Sequence, residues 1–328
     1  MFYIYNLYYH ILYRMSSFDK KHNLFLEPST KQYGSHMVMN NVHKQSKRKY
    51  VNIDSKFRDE YTGTTQTTNS NADLLTNLNI VSNYSINLPE RVNEVLTVNV
   101  TNIEIPMSFH NISANLGNNY FKTIVSGNET VISIPDGNYT DSSLTTALNN
   151  ALTTAGVGLT FAVTNTARTT VVSTGSVEIH FDINSSGTGD NSRFKSKLGW
   201  LLGFRNVEYT ITTSTTTGEH FANLHGTKYL YLAIEEFNKG TQNSFVSPLF
   251  SSFINKNVIA RIAVDKYTYP FGSVLPANKS NGLLTSDVRC YTGKVDLQKF
   301  NVSLLNEDGI PVDLNGLDFS FCLEVEHE

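Results

Sequence analysis

The chain has 328 residues, with 26 Lys and Arg against 29 Asp and Glu, for a formal net charge of −3. Charged residues are 17% of the chain, below the roughly 25% of an average soluble domain, and Thr, Asn and Ser fill the gap. That profile disfavours helical bundles, coiled coils and charged disordered chains, and the near-neutral total argues against a duplex-DNA binder that relies on overall positive charge.

In chain order, the first oddity is residues 1–14, where Phe2, Tyr3, Ile4, Tyr5, Leu7, Tyr8, Tyr9, Ile11, Leu12 and Tyr13 crowd together. The stretch lacks a basic start and a small-residue cleavage site, and it is too short to span a bilayer. Met15 follows at once, so translation is expected to begin there. Residues 15–50 show neither period 2 nor period 3.6. Residues 1–58 carry ten Lys and Arg against three Asp and Glu, a net of +7. They are read as a basic, largely extended N-terminal arm, before a folded body over residues 59–328. Residues 62–71 read as a flexible loop.

From about residue 79 the strand signals dominate. Leu96, Val98 and Val100 alternate with polar residues, and then Ile103 and Ile105 take over the apolar positions. The parity flip near Asn102 predicts a β-bulge or a change of sheet. Leu144, Ala147, Leu148, Ala151 and Leu152 form a helical face, with Gly156 just past its end. Val177, Ile179, Phe181 and Ile183 predict a strand. A second short helix is expected around Phe194 to Leu202, capped by Gly203. Tyr229 to Ile234 is a near-continuous apolar run, as expected of a central strand. Alternation returns at Val258 to Val264, at Phe300 to Leu304, and over Leu317, Phe319, Phe321, Leu323 and Val325. Residues 301–328 hold seven Asp and Glu and no Lys or Arg. The pattern predicts an all-β two-sheet sandwich or barrel.

The search for chemistry finds little. Asp182, Asn184, Ser186 and Gly187 match the start of a calcium loop, but its twelfth position is Arg193, which repels the ion. His220 and His225 do not share a helical face, and zinc needs three or four ligands. Cys290 and Cys322 make no multi-cysteine site. Glu235 and Glu236 are adjacent, so on a strand they point to opposite faces. There is no nucleophile elbow and no phosphate loop. No catalytic residue, cofactor or metal is expected. Lys44, Lys47, Arg48 and Lys49 form one basic cluster, suited to a solvated arm, to docking on a neighbouring protein, or to nucleic acid or lipid.

Several blocks resemble one family. Asn52-Ile-Asp54-Ser55-Lys56-Phe57-Arg58-Asp59 is similar to the N-x-D-S-[RK]-x-R entry segment of penton and minor capsid proteins of nucleocytoplasmic large DNA viruses. Leu88-Pro89 and the stretch from Val92 to Pro106 resemble that family's "LP…V…V…IEIP" strand. Gly117 to Phe121 and Ile134 to Thr140 follow in the family's order. Leu198 to Arg205 resembles its "LG…LGF" block, and Arg289 to Leu297 and Leu304 to Gly309 lead into Asp318 to Phe321. Lys294 stands where the family usually has Pro, and Lys56 where Arg is commoner.

The resemblance implies a single jelly-roll β-sandwich with one or two short helices, in a structural, non-enzymatic virion protein. It implies a penton at the fivefold vertices of an icosahedral giant-virus capsid, assembled in the host cytoplasm as a homopentamer. Its partners would be the major and minor capsid proteins, with no direct nucleic-acid contact. Apart from the resemblance, the basic arm is expected from its charge to dock on neighbours, touching an acidic protein or the inner membrane. Lys47, Arg48, Lys49, Asp54, Phe57 and Arg58 are the expected protein-interface residues. The alternatives are a cement protein between capsomers and a receptor- or glycan-binding module on the virion.

Overall fold

The structure, a computed structural model, describes residues 45–58, 81–236 and 257–328. The aromatic-rich start, most of the basic arm and the 62–71 loop lie outside the described residues.

The chain enters on β1 (Lys47–Asp54) and a 3-10 turn (Ser55–Phe57), and β2 (Asn83–Pro106) follows as the longest strand. Next come β3 (Tyr120–Val125), β4 (Asn128–Ser133), α1 (Asp141–Thr154), β5 (Leu159–Val163), β6 (Thr169–Ser173) and β7 (Val177–His180). A 3-10 turn (Phe194–Ser196), α2 (Leu198–Leu201), β8 (Glu208–Ile211) and β9 (Thr216–Thr217) precede β10 (Tyr229–Glu235) and β11 (Val258–Ala263). β12 (Val274–Asn278), β13 (Leu284–Ser286), β14 (Arg289–Leu305) and β15 (Ser320–His327) complete the described fold.

The main sheet is antiparallel and runs β1-β15-β2-β14-β10-β11-β13, with β12 added against β2. β2 changes partner along its length, meeting β14 over residues 83–98 and β12 over residues 102–106. The far edge of the sheet returns to its middle. On β13, Ser286 Oγ accepts from Val100 N of β2 (3.3 Å) and donates to Asn99 Oδ1 (3.0 Å). The sheet thus curls on itself as an all-β jelly roll around one core, into which Val98, Val100, Ile103, Phe300, Phe321 and Leu323 point.

The parity flip near Asn102 is a bulge. Cys322 pairs with Asn102 and Leu323 with Val100, so Thr101 is the extra residue, and its Oγ1 donates to Cys322 O (3.1 Å). Because side chains alternate with period 2, one inserted residue lets β2 keep apolar positions inward on both sides of it. Tyr229 to Ile234 does become a central strand, with β14 on one side and β11 on the other. Leu317 is a correction: it lies before β15 and is 52% exposed. The strand's alternation therefore begins at Phe319.

Residues 112–224 add something the sequence reading places within one sandwich. Sheets β4-β3-β7-β8 and β5-β6-β9 close with α1 over a second core built on Phe121, Leu148, Phe161, Phe181, Leu198 and Phe204. α1 forms because Leu144, Leu148 and Leu152 repeat every four residues and are buried. Thr140 caps it reciprocally: its Oγ1 accepts from Ser143 N (3.3 Å) and its N–H donates to Ser143 Oγ (2.9 Å). Asn149 then fixes the helix to β5, exchanging bonds of 2.9 and 2.8 Å with the Phe161 backbone.

The arm boundary also changes. Lys47 to Asp54, assigned above to the arm, pair in unbroken register with β15, from Lys47 opposite His327 to Asp54 opposite Ser320. They belong to the sheet because Val51 and Ile53 carry its inward alternation, Ile53 being fully buried in the main core.

Candidate assembly surface

β1 delivers the chain into the turn at Ser55–Phe57, and that turn is locked. Asp54 caps it by accepting from Lys56 N at Oδ1 (2.9 Å). Ser55 is buried; its N–H donates to Phe319 O (2.9 Å), and its Oγ accepts from Phe319 N (3.0 Å) and donates to Asp318 Oδ1 (2.7 Å). Arg58 Nη1 bonds Ser55 O (2.7 Å) and the same Asp318 Oδ1 (3.0 Å). Tyr84 packs edge-on to Phe319, with ring centroids 6.0 Å apart. Burial pushes its hydroxyl far above the ordinary tyrosine range, and the nearby Asp54 charge adds to that.

With Asp54 and Arg58 turned to holding the turn, Phe57 is left pointing out, 70% exposed. Phe57 therefore does not pack β1 into the core. Leu317 is also exposed and sits beside Asp318, so the Arg58–Asp318 pair is flanked by two apolar side chains. This is one end of the main sheet. Ser320, the first residue of β15, pairs with Glu104 near the end of β2, and Val274, the first of β12, pairs with Pro106. Val274 and Phe271 are exposed there too, Phe271 stacking on His110 with centroids 5.7 Å apart. Single exposed apolar residues are ordinary on a surface; several at one end of a sheet suit a subunit contact.

The basic residues have a different setting. Arg48 pairs with Glu324 of β15 (3.1 Å) and Lys49 with Glu90 of β2 (3.0 Å), while Lys47 stands opposite His327. Ser46 Oγ donates to Glu326 (2.6 Å). The positive entry and the negative last segment therefore meet within the chain. Arg48 keeps 71% of its side chain in solvent, and such exposed pairs contribute only about 0–1 kcal/mol each. They leave the cations accessible.

Sequence reasoning missed a buried ion pair. Arg289 Nη1 bonds Glu236 Oε2 (2.7 Å) and Ile234 O (2.9 Å), and Nη2 bonds Asn257 O (2.9 Å). Tyr291 OH donates to Glu236 Oε1 (2.7 Å). Both charged side chains are almost fully buried, at 3% and 1% exposure. One guanidinium thus joins the end of β10 to the residue that leads into β11. Burial, with the Glu236 charge, pushes the Tyr291 hydroxyl far above its ordinary range. Arg289 and Tyr291 lie in a block quoted for the resemblance, but nothing in its spacing pointed to Glu236.

The weak metal candidates resolve into loop structure. Asn184 Oδ1 accepts from Ser186 N (3.0 Å) and Thr188 N (3.1 Å), an Asx turn that consumes its oxygen. Among the described residues there is no group of three or more His, Cys, Asp or Glu that could hold a metal ion. Nor, among them, is any helix long and apolar enough to cross a membrane. Glu235 is exposed and Glu236 buried, the opposite faces expected of neighbours on a strand.

No family model and no curated protein matches the chain. Among solved structures it is similar to the crystal structure of the mavirus penton protein, with 11% identity and a TM-score of 0.39, over 87% of this chain and 100% of that one. At that distance the functional reading rests on the residues themselves.

Proposed function

We propose that the chain is a structural capsid subunit, the penton of a large icosahedral DNA-virus particle, working with major and minor capsid proteins assembled in the host cytoplasm. One observation carries the reading. The first and last of the resembling sequence blocks, over Asn52 to Arg58 and Asp318 to Phe321, join through the Ser55–Asp318–Phe319 hydrogen bonds. Two blocks that resemble one family, remote in sequence, therefore meet in one structural unit. That unit holds Phe57 outward on fixed backbone. Aromatic side chains, Phe among them, are enriched at subunit interfaces.

Five copies would close a ring by a heterologous contact, in which one surface of each subunit meets a different surface of the next. The Phe57–Leu317 end is the surface assigned to that contact. The residues before β1 extend to a neighbour, and the exposed cations of Lys47, Arg48 and Lys49 guide them to acidic protein or lipid surface.

The test is native mass by light scattering on the full chain across salt concentrations, with Phe57→Asp alongside. A pentamer that Phe57→Asp reduces to monomer is the expected result. A pentamer indifferent to Phe57→Asp moves the contact elsewhere on the subunit. A monomer found in the particle between capsomers, away from the vertices, replaces the penton reading with a cement protein.

A further inference from the structure

We infer that the tip of the β5–β6 hairpin and Phe221 form a binding site for an acidic carbohydrate, one bearing a carboxylate or a sulfate. The site is independent of the capsid reading and lies on the second core.

A shallow open depression of about 740 Å³ is lined by Asn165, Thr166, Ala167, Arg168 and Phe221. Phe221 is 64% exposed, and the Arg168 guanidinium lies 6.0 Å from its ring centroid. That guanidinium makes no hydrogen bond or ion pair among the described residues. Arg205 is the contrast: it stacks on Trp200 at 3.9 Å, and its Nη1 is also spent on the Trp200 and Phe204 carbonyls. Arg168 keeps its donors for something else. The Asn165 side-chain amide is likewise unbonded among the described residues.

The parts are held in place before any ligand arrives. The hairpin tip is closed by Thr164 N to Arg168 O (2.8 Å) and Ala167 N to Thr164 O (2.9 Å), with Ala167 in the left-handed region at φ 55°. Ala222 N donates to Ala167 O (2.8 Å), which ties the Phe221 segment to that tip. From behind, His220 N donates to Gly203 O (3.0 Å). Gly203 has φ +95°, and a Cβ there would stand 2.2 Å from the His220 carbonyl oxygen. Only glycine lets residues 220–221 approach this closely. Preorganised backbone lowers the ordering cost of binding.

The chemistry selects the ligand. A pyranose ring presents a face of C–H groups that packs on an exposed aromatic ring, and its hydroxyls suit an amide such as Asn165 and a hydroxyl such as Thr166. A planar guanidinium pairs with a carboxylate or sulfate on the same sugar. A neutral sugar would leave Arg168 unused, and a simple anion would leave Phe221 unused.

The experiment measures binding of the full chain to two immobilised probes, heparin for sulfated sugars and 3′-sialyllactose for carboxylated ones, with lactose as the neutral control. Binding to at least one acidic probe is expected, with none to lactose and weakening as salt rises. Phe221→Ala and Arg168→Gln should each weaken it by about tenfold or more, roughly 1.4 kcal/mol. Both side chains are exposed, so an unchanged melting temperature checks that the variants fold. Preference between the two probes identifies the acidic group. Absence of binding to both acidic probes, equal binding to lactose, or binding that survives both substitutions overturns the inference.

Discussion

Ser55 and Asp318 stand 263 positions apart and share a hydrogen bond of 2.7 Å from Oγ to Oδ1. The same hydroxyl accepts from Phe319 N, and the same carboxylate oxygen receives Arg58. A single buried serine therefore satisfies a backbone donor and orients a carboxylate. Replacing it by alanine removes both contacts and leaves the Phe319 N–H buried without its acceptor. Ser55→Ala is expected to cost about 1–3 kcal/mol, read from the urea midpoint. An unchanged midpoint would show that the turn is held without the serine hydroxyl.

The Arg289–Glu236 pair makes a sharper prediction. Removing one partner strands a charge where water does not reach. Arg289→Met should cost about 3–5 kcal/mol, whereas replacing both members by apolar residues should recover part of that loss. Thermal unfolding of the two single variants and the double variant closes the cycle. Additive losses would mean that the two groups act separately on β10 and β14.

Asp190 gives a pH dependence. Its carboxyl is held at about 2, first by hydrogen bonds from Ser192 and then by Lys197, whose Nζ lies 2.9 Å away. A carboxyl with a depressed folded pKa contributes stability that is whole above its unfolded value and is lost as pH falls through the folded one. The stability gap between wild type and Asp190→Asn should be full above about pH 4 and should close as pH falls toward 2. Chemical denaturation at several acidic pH values measures the gap. A gap constant over that window would separate Asp190 ionisation from stability.

The position of β1 predicts where truncation becomes harmful. A chain beginning at Ser46 keeps all eight residues of β1 and should melt within a few degrees of the full chain. A chain beginning at Asp59 exposes the edge of β15 and removes Ile53 from the core, so it should melt far lower or aggregate. Equal melting of the two truncations would place β1 outside the cooperative unit.

Much of the fold was legible because period-2 alternation is local. The bulge at Thr101 announced itself as a parity flip, and the central position of β10 as an uninterrupted apolar run. α1 was readable from its leucines. The second core was not, since Phe121, Phe161 and Phe181 look like core residues whichever core they enter. Leu317 misled because alternation cannot say where a strand stops. The candidate surface was half legible. Phe57, Asp54 and Arg58 stood out within one short block, and the Asp54 cap is local, but the inward turn of Arg58 depends on Asp318, which only the sheet brings near. The cluster of Lys47, Arg48 and Lys49 looked like a free arm because its carboxylates, Glu324 and Glu90, are remote in sequence.

The pairing of β1 with β15 also sets a timetable. The first described strand can find its place only after the last has been made, because Lys47 to Asp54 have no other partner among the described strands of the sheet. β2, at the middle, likewise waits for β15 along one of its edges. A ribosome that has delivered most of this chain therefore holds a half-sheet with an open flank. The sheet closes only when β15 slides between β1 and β2. Until then β1 and the middle of the sheet present unpaired backbone to whatever else is in reach.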